Sequence, residues 1–225
     1  ILCTPHHNNG RYYNQKSKVI TSVVSLQKEL TKRNLPLVLF EGQEIRITGD
    51  LIDEIQRDEI LFTDRQRKYL LIEFPTLEVP LYSKKLFFEL LKRGKTPVIV
   101  HPERHAYFRK DPNQLIPFLE MGCLAQLTAP SYIGRFGKEI QKTAKKMVEH
   151  HLVQMVASDA HSVTNRPFYL KECYEELTKD FGNDRVNLLK QVAKDLIDGK
   201  EFSYPLYQKI KKKKKKAHLT CLLLD

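Results

Sequence analysis

Six side chains of metal-ligating type stand at or near the ends of apolar runs in this sequence. They are His6, Glu44, Glu73, His101, Asp159 and His161. The set contains no thiolate, and such nitrogen and oxygen donors suit manganese, iron, zinc and similar ions. Six donors exceed what one tetrahedral zinc would use, so a carboxylate shared between two ions is the natural arrangement. Sites with more than one ion activate water and clamp both oxygens of a phosphoryl displacement.

Two arginines follow these ligand types closely. Arg104 lies three residues after His101, and Arg166 lies five residues after His161. A planar guanidinium binds phosphate oxygens through two parallel hydrogen bonds. Metal ions beside arginines predict hydrolysis of a phosphate ester, with stabilisation of the developing charge as the main catalytic contribution.

Each of these residues also has an ordinary alternative. Taken singly, His6, Glu44 or Glu73 is more often a solvated strand end than a ligand. Glu73 is the most specific, because it lies between apolar neighbours in LLIEFP, where burying an unpaired carboxylate is costly. We expect structural or solvent-facing roles for His7, Glu103, His105, His150 and His151. Phosphate binding and a solvated role both remain open for Arg11, Arg46 and Arg135.

Short apolar runs alternate with amphipathic stretches, which is the pattern of βαβ units around a parallel sheet. The predicted strands are residues 1–7, 35–44, 68–75, 96–104, 123–129 and 153–161. The predicted helices are residues 19–33, 82–94, 113–122, 138–151, 167–182 and 186–199. We therefore predict one α/β barrel-like domain, in which the carboxyl ends of the strands share one rim and bring the six ligand types together.

The net charge argues against a nucleic-acid-binding protein. The formal charge of the 225 residues is +11, but Lys209 and Lys211–Lys216 contribute seven positive charges in one run, and without them +4 remains. That modest charge is interspersed with Glu and Asp on predicted helix faces, so we expect no specific nucleic-acid partner.

The lysine run belongs to a distinct end of the chain. We predict a single domain over residues 1–205 and a basic, disordered tail over residues 206–225. A solvated end is the simpler interpretation of the tail. Weak attraction to an anionic membrane surface is the alternative, since each basic residue contributes about 1 kcal/mol there.

The four cysteines are far apart and form no C-x-x-C pair, which is typical of a reducing compartment. No apolar stretch approaches the roughly 20 residues of a membrane span, and no signal peptide is visible. We therefore predict a cytoplasmic protein. None of the cysteines is followed by arginine six positions later, so the signature of the cysteine-dependent phosphatases is absent.

Five motifs together resemble a known family. TPHHNNG, GQEIRI, YLLIEFP, VIVHPER and VASDAH occur in this order over nearly the whole chain. They are similar to the manganese-dependent tyrosine-protein phosphatases of the polymerase and histidinol phosphatase (PHP) superfamily, of the type that regulates capsular or exopolysaccharide synthesis in Gram-positive bacteria. The resemblance implies a distorted TIM-like α/β barrel that holds two or three ions, with Mn²⁺ expected and Fe or other divalent metals as alternatives.

The same resemblance implies roles for individual residues. The metal ligands would be His6, Glu44, Glu73, His101, Asp159 and His161, with Glu73 bridging two ions. Arg104 and Arg166 would bind the phosphate and stabilise its transition state. The implied substrate is phosphotyrosine on a cognate bacterial tyrosine kinase, and the implied nucleophile is a hydroxide.

The sequence departs from the family pattern at its start. Members of the family begin with a strand carrying Asp-x-His-x-His and a following Asp-Asp-Gly loop, and neither motif is present in this chain. We therefore predict that the first βα unit is missing. Two other functions remain as alternatives: a PHP phosphoesterase acting on a small substrate such as histidinol phosphate, and an inactive, truncated copy that binds the kinase.

Overall fold

The strands lie within the predicted apolar runs or at their ends. The computed structural model describes residues 1–211 of the chain. Within this range the strands are β1 (Leu2–Cys3), β2 (His6–His7), β3 (Phe40–Glu41), β4 (Glu44–Arg46), β5 (Tyr69–Glu73), β6 (Thr96–Val100), β7 (Leu124–Thr128) and β8 (Met155–Ala157). Several are shorter than predicted, and two of the predicted runs are each divided into two strands.

Six strands form one parallel sheet in the order β2-β4-β5-β6-β7-β8, and β1 pairs with β3 in a small parallel ribbon. The two edges of the larger sheet approach each other at their carboxyl ends. There His161, shortly after β8, places its Nε2 3.4 Å from the Nε2 of His6 on β2. The sheet is therefore curled into a half-barrel, and the predicted α/β class with a parallel sheet is confirmed. The absence of a first βα unit stays a prediction.

Helices lie between the successive strands of the parallel sheet, as βαβ topology requires. The α-helices are α1 (Lys16–Lys32), α2 (Leu51–Gln56), α3 (Ser83–Lys92), α4 (Ala106–Lys110), α5 (Ile116–Glu120), α6 (Ala129–Tyr132), α7 (Lys138–Glu149) and α8 (Leu170–Ile197). Short 3-10 turns occupy Pro102–Arg104 and Pro112–Leu115. Helix α8 is interrupted at Gly182, whose φ of 82° and ψ of 170° are non-helical, so the two predicted helical segments are both present.

Both faces of the sheet are buried, which explains why the strand sequences read as continuous apolar runs. On β5, Leu70 and Ile72 pack into the main core, whereas Leu71 packs with Val98 and Val100 of β6 in a second cluster. Val192 and Leu196 of α8 complete that second cluster. Because alternate residues of a strand share a face, this second cluster lies on the side that carries Glu73. A packed apolar cluster therefore lies directly beneath the strand ends on this face of the sheet.

The main core makes a simple stability prediction. Ile72 is 0% exposed and packs among core residues, so Ile72→Ala should lower the free energy of unfolding by about 2–5 kcal/mol through lost burial and a cavity. Urea denaturation monitored by circular dichroism measures the change. Leu77→Ala is the matched control, because Leu77 is 79% exposed and its truncation should cost little. Equal effects of the two substitutions would contradict this packing.

The stretch before β3 is the largest local difference from the predicted strands. Residues 35–39 carry no strand, and Leu35, Leu37 and Val38 are exposed. The side chain of Gln27 on α1 forms two hydrogen bonds with the backbone of this stretch. It donates to the carbonyl of Leu37 and accepts from the N–H of Leu39. Backbone groups satisfied by a side chain need no neighbouring strand.

The described part of the predicted tail, residues 206–211, runs along the domain. Tyr207 donates its hydroxyl to Glu120 at 2.7 Å, and Asn113 exchanges two hydrogen bonds with the backbone of Ile210 at 2.9 and 3.0 Å. Most of the lysine run lies outside the described residues, and the domain boundary at residue 205 stays a prediction. Within residues 1–211, no helix combines the length and apolar character needed to cross a bilayer.

Candidate metal centre

Four of the predicted ligands come together on or directly after four neighbouring strands, β2, β4, β5 and β6. His6 on β2 and Glu44 on β4 are paired in register, and Glu73 is the last residue of β5. His101 directly follows β6 and adopts a left-handed φ of 37°, at the point where the backbone leaves the strand. The strand order thus places side chains that are distant in sequence beside one another.

Glu44 lies at the centre of this group. Its Oε1 lies 3.2 Å from Nδ1 of His6 and 3.0 Å from Nε2 of His101. Glu73 is somewhat farther away, with carboxylate oxygens 3.9 Å from His6 Nδ1 and 4.0 Å from His101 Nε2. One ligand atom from each of His6, Glu44 and Glu73 lies within 4.8 Å of the others. We call these three residues and His101 the rim cluster.

Within the rim cluster, the surroundings of Glu44 and of His6 change their pKa values. Burial by itself raises the pKa of Glu44, but interactions with His101 and His6 outweigh burial and hold the pKa well below its usual range. The neighbouring Glu44 carboxylate in turn raises the pKa of His6. Glu44 is therefore a carboxylate at neutral pH and can act as a ligand without first losing a proton.

Two atoms of the cluster support a fit to a metal ion. Nδ1 of His6 and Oε2 of Glu73 are buried and have no aligned hydrogen-bond partner among the described residues. Buried polar atoms are normally satisfied by hydrogen bonds, whereas these two atoms have only charged neighbours, Glu44 beside His6 and Arg46 beside Glu73. A cation could bind the lone pairs that these contacts leave without a hydrogen bond. Imidazole nitrogen and carboxylate oxygen, with no sulfur, form a donor set that suits a divalent cation. The side chains of the rim cluster therefore fit a divalent metal ion.

Asp159 and His161 lie beside the cluster, on the side of β8. The backbone carbonyl of Asp159 lies 3.0 Å from Nδ1 of His161, and this contact orients the imidazole so that Nε2 faces His6. Asp159 has a φ of 48°, and its side chain points to two arginines rather than to the rim cluster. The structure thus brings all six predicted ligands to one rim, where His161 contacts the rim cluster through His6 and Asp159 lies beside it between the two arginines.

Arg104 and Arg166 converge on a single oxygen. Arg104 donates from Nη1 to Oδ2 of Asp159 at 2.7 Å, and Arg166 donates from Nη2 to the same atom. Both guanidinium groups also lie over the ring of Phe136, 5.5 and 5.8 Å from its centroid. Both side chains are only partly exposed. Two guanidinium groups that can share one anionic oxygen form a receptor suited to a phosphoryl group.

Sequence reasoning left the role of Arg46 open, and the structure brings this residue into the site. Its Nη2 lies 3.0 Å from Oε2 of Glu73, its register partner, and its Nη1 donates to the carbonyl of Phe74 at 2.8 Å. The available signal was spacing, because Arg46 lies two residues after Glu44 on a strand and such residues share a face.

The polar residues expected to be structural have local partners. Glu103 is fully buried and accepts from the N–H and hydroxyl of Thr128 at 3.1 and 2.7 Å. His105 contacts the carbonyl of Pro75 at 2.5 Å. The other three are satisfied by nearby groups: His7 by Asn14, His150 by Lys146 and His151 by Arg185.

The cysteines are poor candidates for a nucleophile. Cys3, Cys123 and Cys173 are free thiols, and Cys221 lies outside the described residues. Burial raises the pKa of Cys123 and of Cys173 to about 12, so both remain protonated at neutral pH. These two thiols therefore cannot supply a thiolate, in line with the missing cysteine-phosphatase signature.

Comparison with known protein families assigns the chain to one of them. The family described as Capsular polysaccharide synthesis, CpsB/CapC, matches residues 1–198. The chain belongs to this family. The match includes all five motifs from TPHHNNG to VASDAH, and it spans most of the described domain.

Three relatives of this CpsB/CapC protein support the same family assignment. The tyrosine-protein phosphatase YwqE of Bacillus subtilis (strain 168) is 38% identical over 214 residues, which cover 95% of this chain and 84% of YwqE. CapC of Staphylococcus aureus is 43% identical over 176 residues, with coverages of 78% and 69%. The tyrosine-protein phosphatase CpsB of Streptococcus pneumoniae is 28% identical over 187 residues, with coverages of 81% and 76%.

A solved structure agrees with the fold of this CpsB/CapC protein. It comes from the crystal structures of YwqE from Bacillus subtilis and CpsB from Streptococcus pneumoniae, which are described as unique metal-dependent tyrosine phosphatases. The match has a TM-score of 0.90 at 38% identity and covers 94% of this chain and 85% of the solved one. The α/β fold with its curled parallel sheet is thus shared with this solved relative.

Proposed function

We propose that this CpsB/CapC protein hydrolyses phosphotyrosine in a metal-dependent reaction. The observation that carries the proposal is the rim, where a histidine and carboxylate cluster centred on Glu44 stands beside Arg104 and Arg166. Membership of a family whose relatives are named tyrosine-protein phosphatases supports the choice of substrate. The site joins a cation-binding group to an anion-binding group, as phosphate-ester hydrolysis requires.

The residues at the rim would have two different roles in the reaction, metal binding and phosphate binding. His6, Glu44, Glu73 and His101 would hold the metal, which when bound supplies Lewis acidity and an activated water. Arg104 and Arg166 bind non-bridging oxygens of the phosphoryl group and stabilise the charge that develops on them. Phe136 supports both guanidinium groups from below and limits their hydration, which strengthens their interaction with an anion.

We further propose Mn²⁺ as the metal, with two or three ions in the full site. Nitrogen and oxygen donors with no sulfur support manganese, and they also admit iron. Asp159 and His161 would be further ligands, supported by the 3.4 Å contact between His161 and His6. In that role Asp159 would release the arginines when phosphate arrives, because a phosphoryl oxygen would replace its Oδ2 between them.

The proposed partner is a bacterial tyrosine kinase that carries phosphotyrosine and controls capsular or exopolysaccharide synthesis. The description of the family as acting in capsular polysaccharide synthesis supports this context. A phosphorylated tyrosine on a protein is a bulky anionic substrate, and the arginines on the open rim face solvent enough to receive it.

Phosphate release from a phosphotyrosine peptide by the Mn²⁺-loaded chain tests the proposal. We expect release that a chelator stops and that added Mn²⁺ restores. Histidinol phosphate and phosphoserine peptide serve as competing substrates, and faster hydrolysis of either one would argue for a different phosphoesterase. A folded, Mn²⁺-loaded chain that binds the phosphotyrosine peptide without releasing phosphate would instead support the kinase-binding alternative.

Arg46 should matter for metal affinity through its contact with Glu73. We expect Arg46→Met to weaken Mn²⁺ binding about 10- to 100-fold, because Glu73 loses the guanidinium that orients its carboxylate. Loss of a positive charge would by itself strengthen cation binding, so the sign of the change separates orientation from charge. Isothermal titration of the metal-free chain with Mn²⁺ gives the affinity.

The control for this prediction is Arg57→Met. Arg57 pairs with Glu59 on the surface, where both side chains are largely exposed, and its loss should leave Mn²⁺ binding unchanged. Tighter or unaltered Mn²⁺ binding by Arg46→Met would contradict a positioning role and show that charge repulsion dominates.

A further inference from the structure

The loop after β2 forms one wall beside the rim cluster. The side chain of Asn9 closes this loop, since its Oδ1 accepts from the backbone N–H of Arg11 at 3.1 Å and of Tyr12 at 2.8 Å. Gly10 takes a φ of 84° at the turn. Side-chain-to-backbone hydrogen bonds of this kind hold a tight turn in one conformation. The loop therefore presents its tyrosines in defined directions.

Tyr12 lies against a predicted metal ligand. Its ring is nearly parallel to that of His6, with an interplanar angle of 14° and centroids 6.1 Å apart. The side chain is nevertheless 44% exposed, and no hydrogen bond of its hydroxyl occurs within the described part of the chain. An exposed aromatic ring at this position is positioned to contact whatever enters the site.

Tyr13, the next residue, lies on the other side of the loop. Its ring contacts His7, with centroids 4.9 Å apart, and it is 60% exposed. His7 does not belong to the rim cluster; its Nδ1 lies 2.8 Å from the carbonyl of Asn14. Neighbouring residues on a strand point to opposite faces, so His6 and His7 direct the two tyrosines to different sides. Tyr13 can therefore serve as the control for substitutions of Tyr12.

The charge around Tyr12 favours an anionic aromatic substrate. The guanidinium of Arg11 lies 5.2 Å from the centroid of the Tyr12 ring, which adds a cation to this edge of the rim. Arg104 and Arg166 supply the phosphoryl receptor. A substrate whose phosphoryl group lies between these arginines and the rim cluster directs its leaving group outward, toward the walls of the site.

We propose that Tyr12 is a specificity residue that packs against the phenyl ring of phosphotyrosine. This inference rests on the proposed function and deepens it by assigning the recognition of the aryl group. Two aromatic rings attract each other in offset or edge-to-face arrangements, and such pairs favour an aryl phosphate over an alkyl phosphate. The small side chain of an alkyl phosphate reaches the same arginines but makes no ring contact.

The test uses two non-hydrolysable ligands that differ only in the group beyond phosphorus. Phenylphosphonate and methylphosphonate are titrated calorimetrically into the Mn²⁺-loaded full chain and into its Tyr12→Ala, Tyr12→Phe and Tyr13→Ala variants. We expect Tyr12→Ala to weaken phenylphosphonate binding by about 5- to 10-fold and to leave methylphosphonate binding unchanged. Tyr12→Phe and Tyr13→Ala should both keep the preference for the phenyl ligand.

The outcomes separate the two proposals. An unchanged phenyl-to-methyl ratio in Tyr12→Ala, or an equal loss in Tyr13→Ala, would overturn the assignment to Tyr12 while leaving the phosphatase proposal intact. Failure of both phosphonates to bind the unaltered chain would overturn both proposals. Thermal unfolding of each variant accompanies the titrations, and both tyrosines are exposed enough for their substitutions to leave the fold in place.

Discussion

Replacing Glu44 with glutamine is expected to reduce kcat/KM for a phosphotyrosine peptide by roughly 1000-fold. Glu44 contacts both histidines of the rim cluster, at 3.2 and 3.0 Å, and its pKa is held low, so it contributes a full negative charge at neutral pH. Glutamine keeps the size of the side chain but removes that charge. Metal chemistry contributes several kcal/mol to such reactions, and each 1.4 kcal/mol or so is a factor of ten in rate.

Two measurements accompany this prediction. Isothermal titration should show that Glu44→Gln also loses most of its affinity for Mn²⁺, which distinguishes a lost ligand from a lost substrate contact. Glu41→Gln is the matched control, because Glu41 lies on β3, the strand that precedes β4 in the chain, but is exposed. Full activity of folded Glu44→Gln at the same Mn²⁺ concentration would exclude Glu44 from the metal site.

Replacing Arg104 with alanine is expected to reduce kcat/KM by about 100- to 1000-fold, the cost of removing one preorganised donor to a developing anion. Arg104 and Arg166 share one oxygen of Asp159, so they are already directed at a common anionic position. Arg166→Ala should have an effect of similar size. Arg104→Lys should recover only part of the loss, because an ammonium group cannot form the paired hydrogen bonds of a guanidinium.

The Arg104→Ala prediction is checked by a control substitution and by a measurement of Mn²⁺ affinity. Arg135→Ala should leave activity unchanged, since Arg135 lies over Tyr169 and is exposed. Arg104→Ala should also keep its Mn²⁺ affinity, unlike Glu44→Gln, because the role proposed for Arg104 is to bind phosphate rather than metal. A loss of metal binding equal to that of Glu44→Gln would mean that Arg104 acts through Asp159 and not on the substrate.

The two glutamates of the rim cluster have different surroundings. The sequence favoured Glu73 as the more specific signal, because its neighbours are apolar, and the family resemblance implied that it bridges two ions. In the structure Glu44 is the carboxylate that contacts both histidines closely, whereas Glu73 pairs with Arg46. The bridging role of Glu73 stays a prediction.

The regular part of the fold was predictable because its signals are local. Apolar runs and amphipathic stretches report burial over a few residues, and the long helices α1, α3 and α7 fall where the periodicity places them. Short helices such as α2 and α6 were not predicted, since one or two turns leave too few residues for a period to stand out. The sequence predicts a strand over the largely exposed stretch 35–39 for a related reason: apolar composition alone does not say whether a segment pairs with a neighbouring strand.

The sequence by itself determined which residue types stand at the strand ends, and therefore the donor set and the class of chemistry. The tertiary structure decided which of them touch: Glu44 between two histidines, Arg46 on Glu73, and Asp159 held by two arginines. It also decided that Tyr12, not Tyr13, stands beside the rim cluster. The reason is physical, because strand order and curl set distances between residues far apart in sequence, and no local pattern encodes those distances.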